Sequence, residues 1–363
     1  MLPAGELSRL ETCRGIRVRK NVAGKALETL RQLDLLDQNL RIRIMNDYLI
    51  APILREPSTE ELEALGKQFA EVTIETTQFQ TRKIKSKSIF DILGERLPPH
   101  LQASLPKSMD IIGQVAVVEV PLELQEYKAQ IGEAILEVNS KVHTVLAKAG
   151  PISERYRIRE FEVIAGKGET VTTHREFGCT YRMDMRKVYF SPRLSFEHER
   201  VASQVKEGET VADMFAGVGP FSILIAKSVG KVQVYAIDAN QDAIRFLNEN
   251  IVLNKVQGKV TPILGDSGTI IKEHLVGKVD RAIMNLPEQA LRFVESAYTA
   301  LKPTGGVVHY YSFAIEPDPL AKAKEDLEQA VLKGGRKISF LNARTVKSTA
   351  PHEWQVAIDA KVE

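Results

Sequence analysis

Asp213-Met214-Phe215-Ala216-Gly217-Val218-Gly219-Pro220-Phe221 puts a carboxylate, an aromatic ring and two glycines directly after the apolar pair Val211-Ala212. The helical pattern Phe221-Ser222-Ile223-Leu224-Ile225-Ala226 follows, so the stretch reads as strand, tight turn and helix, the opening of a nucleotide-binding unit. Gly217 and Gly219 let the backbone come close to a ligand, because a Cβ there would clash or forbid the turn. The spacing is not the dinucleotide one, since no third glycine opens the helix. Alone, such a turn is also compatible with a plain tight loop. Further polar residues close apolar runs. Lys231–Asp238 and Val260–Asp266 each read as a strand ending in an acid, and Val279–Met284 runs into Asn285-Leu286-Pro287-Glu288. An acid closing the second strand is placed to accept hydrogen bonds from ribose hydroxyls, which makes Asp238 the candidate.

Strands that alternate with helices and end in polar residues predict a doubly wound parallel sheet with its ligand at the strand C-terminal ends. The succession resembles class I S-adenosylmethionine-dependent methyltransferases: glycine turn, ribose acid, adenine-side acid, then an Asn-x-Pro loop beside the transferred methyl. The resemblance implies S-adenosyl-L-methionine as cofactor. Its expected contacts are Arg193, Asp213, Phe215, Gly217, Gly219, Asp238, Ala239, Asp266, Ser267 and Asn285. The acceptor side narrows the chemistry. No cysteine follows Cys179, which excludes a cytosine-C5 mechanism with a thiol nucleophile. Asn285-Leu286-Pro287-Glu288 lacks the aromatic of the amino-group methylating loops, which points to a ring atom as acceptor.

At 363 residues the chain predicts two or three domains, and 44% apolar residues suffice for sizeable cores. The net charge of +2 says nothing about nucleic acid, but its distribution does. Residues 1–25 carry Arg9, Arg14, Arg17, Arg19, Lys20 and Lys25 against Glu6 and Glu11, and Arg82-Lys83-Ile84-Lys85-Ser86-Lys87 is a second basic run. Either run by itself fits a solvated face. Cys13 and Cys179 are too few for a disulfide framework or zinc site and suit a reducing cytoplasm. The first residues lack the pattern of a signal peptide, and no apolar run is long enough to cross a bilayer, so a soluble protein is expected.

Four segments follow. Residues 1–65 read as a small basic α/β domain with a helix over Ala26–Leu33, two short strands within Ile42–Ile50, and a helix cap at Ser58-Thr59-Glu60-Glu61. Residues 66–108 read as a polar linker with short helices. Residues 109–185 read as an α+β middle domain. A buried strand over Ile111–Val120 begins it, and a helix through Ile131–Val138 and strands at 144–147, 161–165, 171–175 and 179–184 complete it. Residues 186–363 form the Rossmann-like catalytic domain.

Three further segments make the resemblance specific. Tyr189-Phe190-Ser191-Pro192-Arg193-Leu194-Ser195-Phe196-Glu197-His198-Glu199-Arg200, the glycine turn and Asn285-Leu286-Pro287 are together similar to the tRNA (guanine-37-N1)-methyltransferases of archaea and eukaryotes. Tyr156-Arg157 paired with Glu162–Gly166, Cys13–Lys20, and Arg344–Lys347 followed by Pro351–Trp354 extend the resemblance over the whole chain. It implies tRNA bearing guanosine 37 as partner, an N-terminal tRNA-binding domain and a closing C-terminal hairpin. The basic runs then become candidate phosphate contacts.

Guanine N1 is protonated at neutral pH and needs a base before it can attack, after which negative charge spreads toward O6. By resemblance Glu197 is that base and Arg157 the cation at O6, with Asn285 and Pro287 holding the target base. No metal is called for, because the cofactor itself supplies the electrophile. Taken singly, Glu197 lies in a charged turn, Arg157 has Arg155 and Arg159 beside it, and Asn285 fits a turn residue. His198 is the competing base. Phe196 and Glu288 stand where the family varies, which leaves base stacking open. Two rival functions remain: a wyosine-pathway activity, by C7 methylation or aminocarboxypropyl transfer, and a non-catalytic tRNA-binding protein. A cytoplasmic monomer is expected.

Overall fold

The structure, a computed structural model, describes residues 10–81, 88–94, 96–152 and 159–363. The chain divides after Ser88 into two compact units.

The first unit contains β1 (Leu10–Arg19), α1 (Ala23–Gln32), β2 (Arg43–Ile44), β3 (Tyr48–Pro52), α2 (Thr59–Gln68) and β4 (Thr73–Gln80). Its antiparallel sheet has the order β2-β3-β1-β4, and Ile16, Val18, Leu30, Ala51 and Phe69 fill the core. Ser58 and Glu61 close the capping box that starts α2. The linker expected over 66–108 is corrected here: β4 pairs with β1 from Leu10–Gln80 to Arg17–Thr73 and buries Phe79. Its alternating, mostly polar residues concealed a strand, because one face of an antiparallel sheet is free to meet water. The basic run at 82–87 lies outside the described residues.

The second unit opens with α3 (Ile89–Leu93), β5 (Met109–Ile112), β6 (Val115–Val118), α4 (Lys128–Val138), β7 (Thr144–Ile152) and β8 (Arg159–Gly166). These strands form a sheet in the order β5-β6-β7-β8, with α4 in the crossover between parallel β6 and β7. The single strand expected over 111–120 is a hairpin, since Gly113 at φ +57° reverses the chain. β9 (Val171–Glu176) and β10 (Cys179–Asp184) pair separately.

The remaining elements are α5 (Ser195–Ala202), β11 (Thr210–Asp213), α6 (Pro220–Ser228), β12 (Gln233–Asp238), α7 (Gln241–Leu253), β13 (Val260–Leu264), α8 (Ser267–Ile270), β14 (Arg281–Met284), α9 (Val294–Ala300), β15 (Gly306–Ile315), α10 (Pro319–Lys333), β16 (Ile338–Ala350) and β17 (Glu353–Val362). Their sheet has the order β13-β12-β11-β14-β15-β17-β16. The first five of these strands are parallel, and β17 and β16 run antiparallel to their neighbours. Val211, Ala212, Ala282 and Ile283 are fully buried, as expected of parallel strands covered on both faces. Asn250 of α7 and Asn254, which caps its C-terminus, accept from the backbone N–H of Arg182 and Thr180 and donate back to their carbonyls. Two side-chain amides thus dock β10 against the catalytic helices. Among the described residues no helix is long and apolar enough to cross a membrane.

Candidate functional site

The strand order reverses at β11, which has β12 on one side and β14 on the other. A crevice must open at the C-terminal ends of strands at such a switch point. A cleft of about 830 Å³ lies there, lined by Phe215, Gly217, Asp238, Ala239, Asp266, Ser267 and Asn285 among others. Its volume suits a nucleoside-sized ligand.

The glycine turn folds back over β12. Ala216 N–H donates to Ile237 O at 2.8 Å, and Gly217 N–H donates to Asp238 Oδ2 at 2.7 Å. The two glycines have different tasks. Gly217 (φ +55°) faces the cleft, where an added Cβ would meet only Tyr189 O at 3.8 Å. Gly219 (φ +95°) does not line the cleft, and a Cβ there would stand 2.5 Å from Leu247 Cδ1. Packing against α7, with Pro220 opening α6, requires the second glycine.

Asp238 also accepts from Asn240 N–H at 2.8 Å, and burial raises its pKa despite both backbone donors. Asp266 caps α8 by accepting from Thr269 N–H at 3.0 Å. Ser267 Oγ donates to Met214 O, and Phe215 meets Phe293 edge to face at 4.9 Å. Asn285 Oδ1 is buried in the cleft wall with no hydrogen-bond partner among the described residues. An orphan acceptor of that kind costs about 1–3 kcal/mol unless a ligand completes it. That orphan atom, the space before Gly217 and the Asp238 carboxylate together fit an adenosyl cofactor carrying a positive charge.

Other expected contacts lie elsewhere. Asp213 is fully buried at the end of β11 and accepts from Ser222 Oγ at 2.6 Å, which ties strand to helix. Burial foremost, with the nearby Asp238 charge, pushes its pKa up to about 7. Arg193 Nε is ion-paired with Asp110 at 2.6 Å and lines a second cavity of about 310 Å³. That cavity also holds Lys148, Arg159 and Lys347, and it shares Tyr189, Phe190 and Ser191 with the first. Pro287 is buried between the cleft residues Leu286 and Gln289. Arg157 lies outside the described residues.

Glu197 is on the first turn of α5, not in a loop, and is 2% exposed. It lines neither cavity. Its Oε2 accepts from Tyr311 Oη at 2.8 Å and Arg200 Nε at 3.0 Å. Its Oε1 has no hydrogen bond, and Arg344 Nη1 stands 3.4 Å away. His198, its neighbour, does line the cleft, with Nδ1 at 2.7 Å from Glu176 Oε1. Burial opposes ionisation of Glu176, but hydrogen bonds from His174 and His198 prevail and hold it at about 2. Sequence reasoning missed Asn240, Gln289 and Phe293 in the wall. Asn240 had a signal, an N-cap after a strand-end acid, and its Oδ1 does accept from Asp242 N–H. Phe293 had none, because a single aromatic closing the short 3-10 turn Ala290–Phe293 carries no motif.

Family models match in three consecutive stretches. The tRNA methyltransferase 5 N-terminal domain matches residues 15–61, the TYW2 N-terminal domain 89–170, and the TRM5/TYW2 methyltransferase domain 172–339. The tRNA (guanine(37)-N(1))-methyltransferase Trm5b of Pyrococcus abyssi is 41% identical over 91% of this chain and 93% of its own. The solved complex of aTrm5 and tRNALeu superposes with a TM-score of 0.74 at 31% identity, covering 96% of this chain and 99% of that one. TYW2 of Methanocaldococcus jannaschii, solved with AdoMet, has a TM-score of 0.54 at 30% identity, covering 70% of this chain and 99% of its own.

Proposed function

The chain belongs to the TRM5/TYW2 methyltransferase family, and on that premise we propose that it transfers a methyl group from S-adenosylmethionine to N1 of guanosine 37 in tRNA. The observation that carries the choice of acceptor is the matched length. The guanine-N1 relative spans 91% of the chain, with an N-terminal domain of its type at 15–61, whereas the TYW2 structure covers 70%. That favours N1 methylation over the wyosine-pathway alternatives. Asn285 Oδ1, unsatisfied in the cleft, argues against a non-catalytic role.

The cofactor, when bound, supplies an electrophilic methyl carbon. Asp238 would accept from its ribose hydroxyls, Asp266 would face its adenine, and Asn285 Oδ1 would accept from a donor at the junction of cofactor and target base. The basic cavity behind Tyr189–Ser191 suits the target nucleotide, with Arg193 and Lys347 near its phosphates. Glu197 takes the N1 proton in this reading. The support is an Oε1 that accepts no hydrogen bond, facing only the Arg344 guanidinium at 3.4 Å, beside an Oε2 that accepts two. Arg157 carries the O6 charge by family resemblance, and Pro287 shapes the turn that presents Asn285. His198 is the second candidate base, because it and not Glu197 borders the cleft. We take the protein to be a cytoplasmic monomer, to which its two free thiols, Cys13 and Cys179, are suited.

Incubation with unmodified tRNA carrying guanosine 37 and labelled cofactor, followed by nucleoside mass spectrometry, should yield 1-methylguanosine. A product found only on a tricyclic wyosine precursor would move the assignment to the alternative. Glu197→Gln should slow single-turnover transfer on the order of 10²–10⁴-fold with tRNA and cofactor affinities kept. His198→Ala should change the rate far less. The reverse ranking would make His198 the base.

A further inference from the structure

A chain of buried charged groups crosses the catalytic sheet and ends on Glu197. Arg281 of β14 donates from Nε to Glu209 at 3.0 Å and stands 2.8 Å from His309 Nε2 on β15. A guanidinium only donates, so His309 Nε2 must accept. The imidazole is therefore neutral with its proton on Nδ1, which donates to Asp359 Oδ1 on β17 at 2.6 Å. Burial foremost keeps His309 from protonating, even with that carboxylate beside it. Asp359 accepts further from Gln204 at 3.1 Å and from both terminal nitrogens of Arg200. Arg200, in turn, donates to Glu197 Oε2, where Tyr311 of β15 also donates.

We propose that Arg200, Asp359, His309 and Tyr311 are positioning residues that hold Glu197 Oε2 and leave Oε1 as the proton-accepting atom. This rests on the reading of Glu197 as general base. Oε2 accepts from two buried donors, Tyr311 Oη and Arg200 Nε, so the carboxylate cannot rotate without breaking a buried bond. Asp359 has a second effect, since its negative charge offsets Arg200 and keeps that cation from weakening the base. In this carboxylate, 2% exposed, the two hydrogen bonds both fall on Oε2 and none on Oε1. Oε1 has only an ion pair, with Arg344 of β16 at 3.4 Å. When the N1–H bond breaks, the proton joins Oε1 and the electron pair stays on the ring nitrogen.

The charged and titratable groups facing Glu197 are Arg200 on its own helix, Tyr311 on β15 and Arg344 on β16, with Asp359 behind Arg200. Two variants of the full-length protein therefore pull in opposite directions in single-turnover rate measured against pH. Asp359→Asn exposes the base to an uncompensated Arg200, and the acid limb should move down by about one pH unit, with a lower plateau. Tyr311→Phe removes a donor from Oε2, and the limb should move up. Cofactor and tRNA affinities should stay at the parent values in both. A defect that only loosened the fold would lower the rate without opposite displacement of the limb. If Glu197→Gln is crippled while neither limb moves, or both move alike, the positioning role is overturned and the base assignment survives. If Glu197→Gln works at the parent rate, both fall together. Should Asp359→Asn not fold, Tyr311→Phe decides alone: an upward shift supports the role and an unmoved limb overturns it.

Discussion

Asp213 and Asp238 close adjacent strands and meet different demands. Asp238 has backbone donors on both oxygens and a face on the cleft, so it is suited to a ligand. Asp213 is sealed in, with one oxygen on Ser222 and the other unpartnered. Its pKa of about 7 compares with about 3.9 in an unfolded chain. The folded state therefore binds the proton more tightly. The stability from this group is fully present below about pH 4 and is lost as pH rises toward 7, by up to about 1.4 kcal/mol per pH unit. Asp213→Asn should flatten the fall in melting temperature between pH 5 and pH 8, read by calorimetry at several pH values. Comparison with the parent at each pH separates this from His309. That group's depressed pKa acts with the opposite sign, its stability being present above about pH 6.5 and lost below. Parallel curves for variant and parent would mean that Asp213 is ionised at no cost.

At the level of elements, the turn between β11 and α6 carries two glycines for two reasons. Gly217→Ala meets no side chain but must hold a positive φ of +55°, so it should lower cofactor affinity with a stability loss of only about 1 kcal/mol. Gly219→Ala strains a positive φ and drives a methyl into Leu247 and Ile223, which should cost roughly 1–3 kcal/mol of stability. Titration calorimetry and thermal melting on the pair separate the two, and equal melting losses would refute the division. The parallel strands and the turn were legible because apolar runs closed by acids have few other readings. β4 was not, since its pairing with β1 lies in backbone hydrogen bonds that polar side chains do not advertise. α5 was hidden as well. Its residues looked like a charged turn until Glu197, His198 and Val201 proved to share one buried face.

For the molecule as a whole, the division after Ser88 decides how it can be cut. Removal of residues 1–65 would take β1 and leave β4 without its sheet. Removal of residues 1–88 leaves the second unit with its own cores intact. That shorter protein should bind S-adenosylmethionine as the parent does, while tRNA binding weakens and loses part of its salt dependence as basic contacts disappear. The salt slope of tRNA binding by parent and shortened protein is the measurement. Equal slopes would give the first unit another purpose. Arg14 and Arg19 already pair with Glu56 and Glu71 on the unit's exposed surface. Pairs of that kind are worth little in water, so exchanging them for phosphates is inexpensive.

The sequence alone determined the parallel sheet, its ligand end, the cofactor class and the family. The first two follow from local order, from which residue type closes which strand and how glycines punctuate a turn. The cofactor class and the family follow from the resemblance that those motifs carry. Tertiary structure decided which candidates share a cavity. It put Asp238, Asp266 and Asn285 in one cleft, turned Asp213 and Gly219 to packing, and moved Arg193 to a second cavity against Asp110. It also surrounded Glu197 with Tyr311, Arg344 and, through Arg200, Asp359, residues more than a hundred positions away in the chain. No local pattern encodes such a network, because its members meet only once β15, β16 and β17 are laid beside α5.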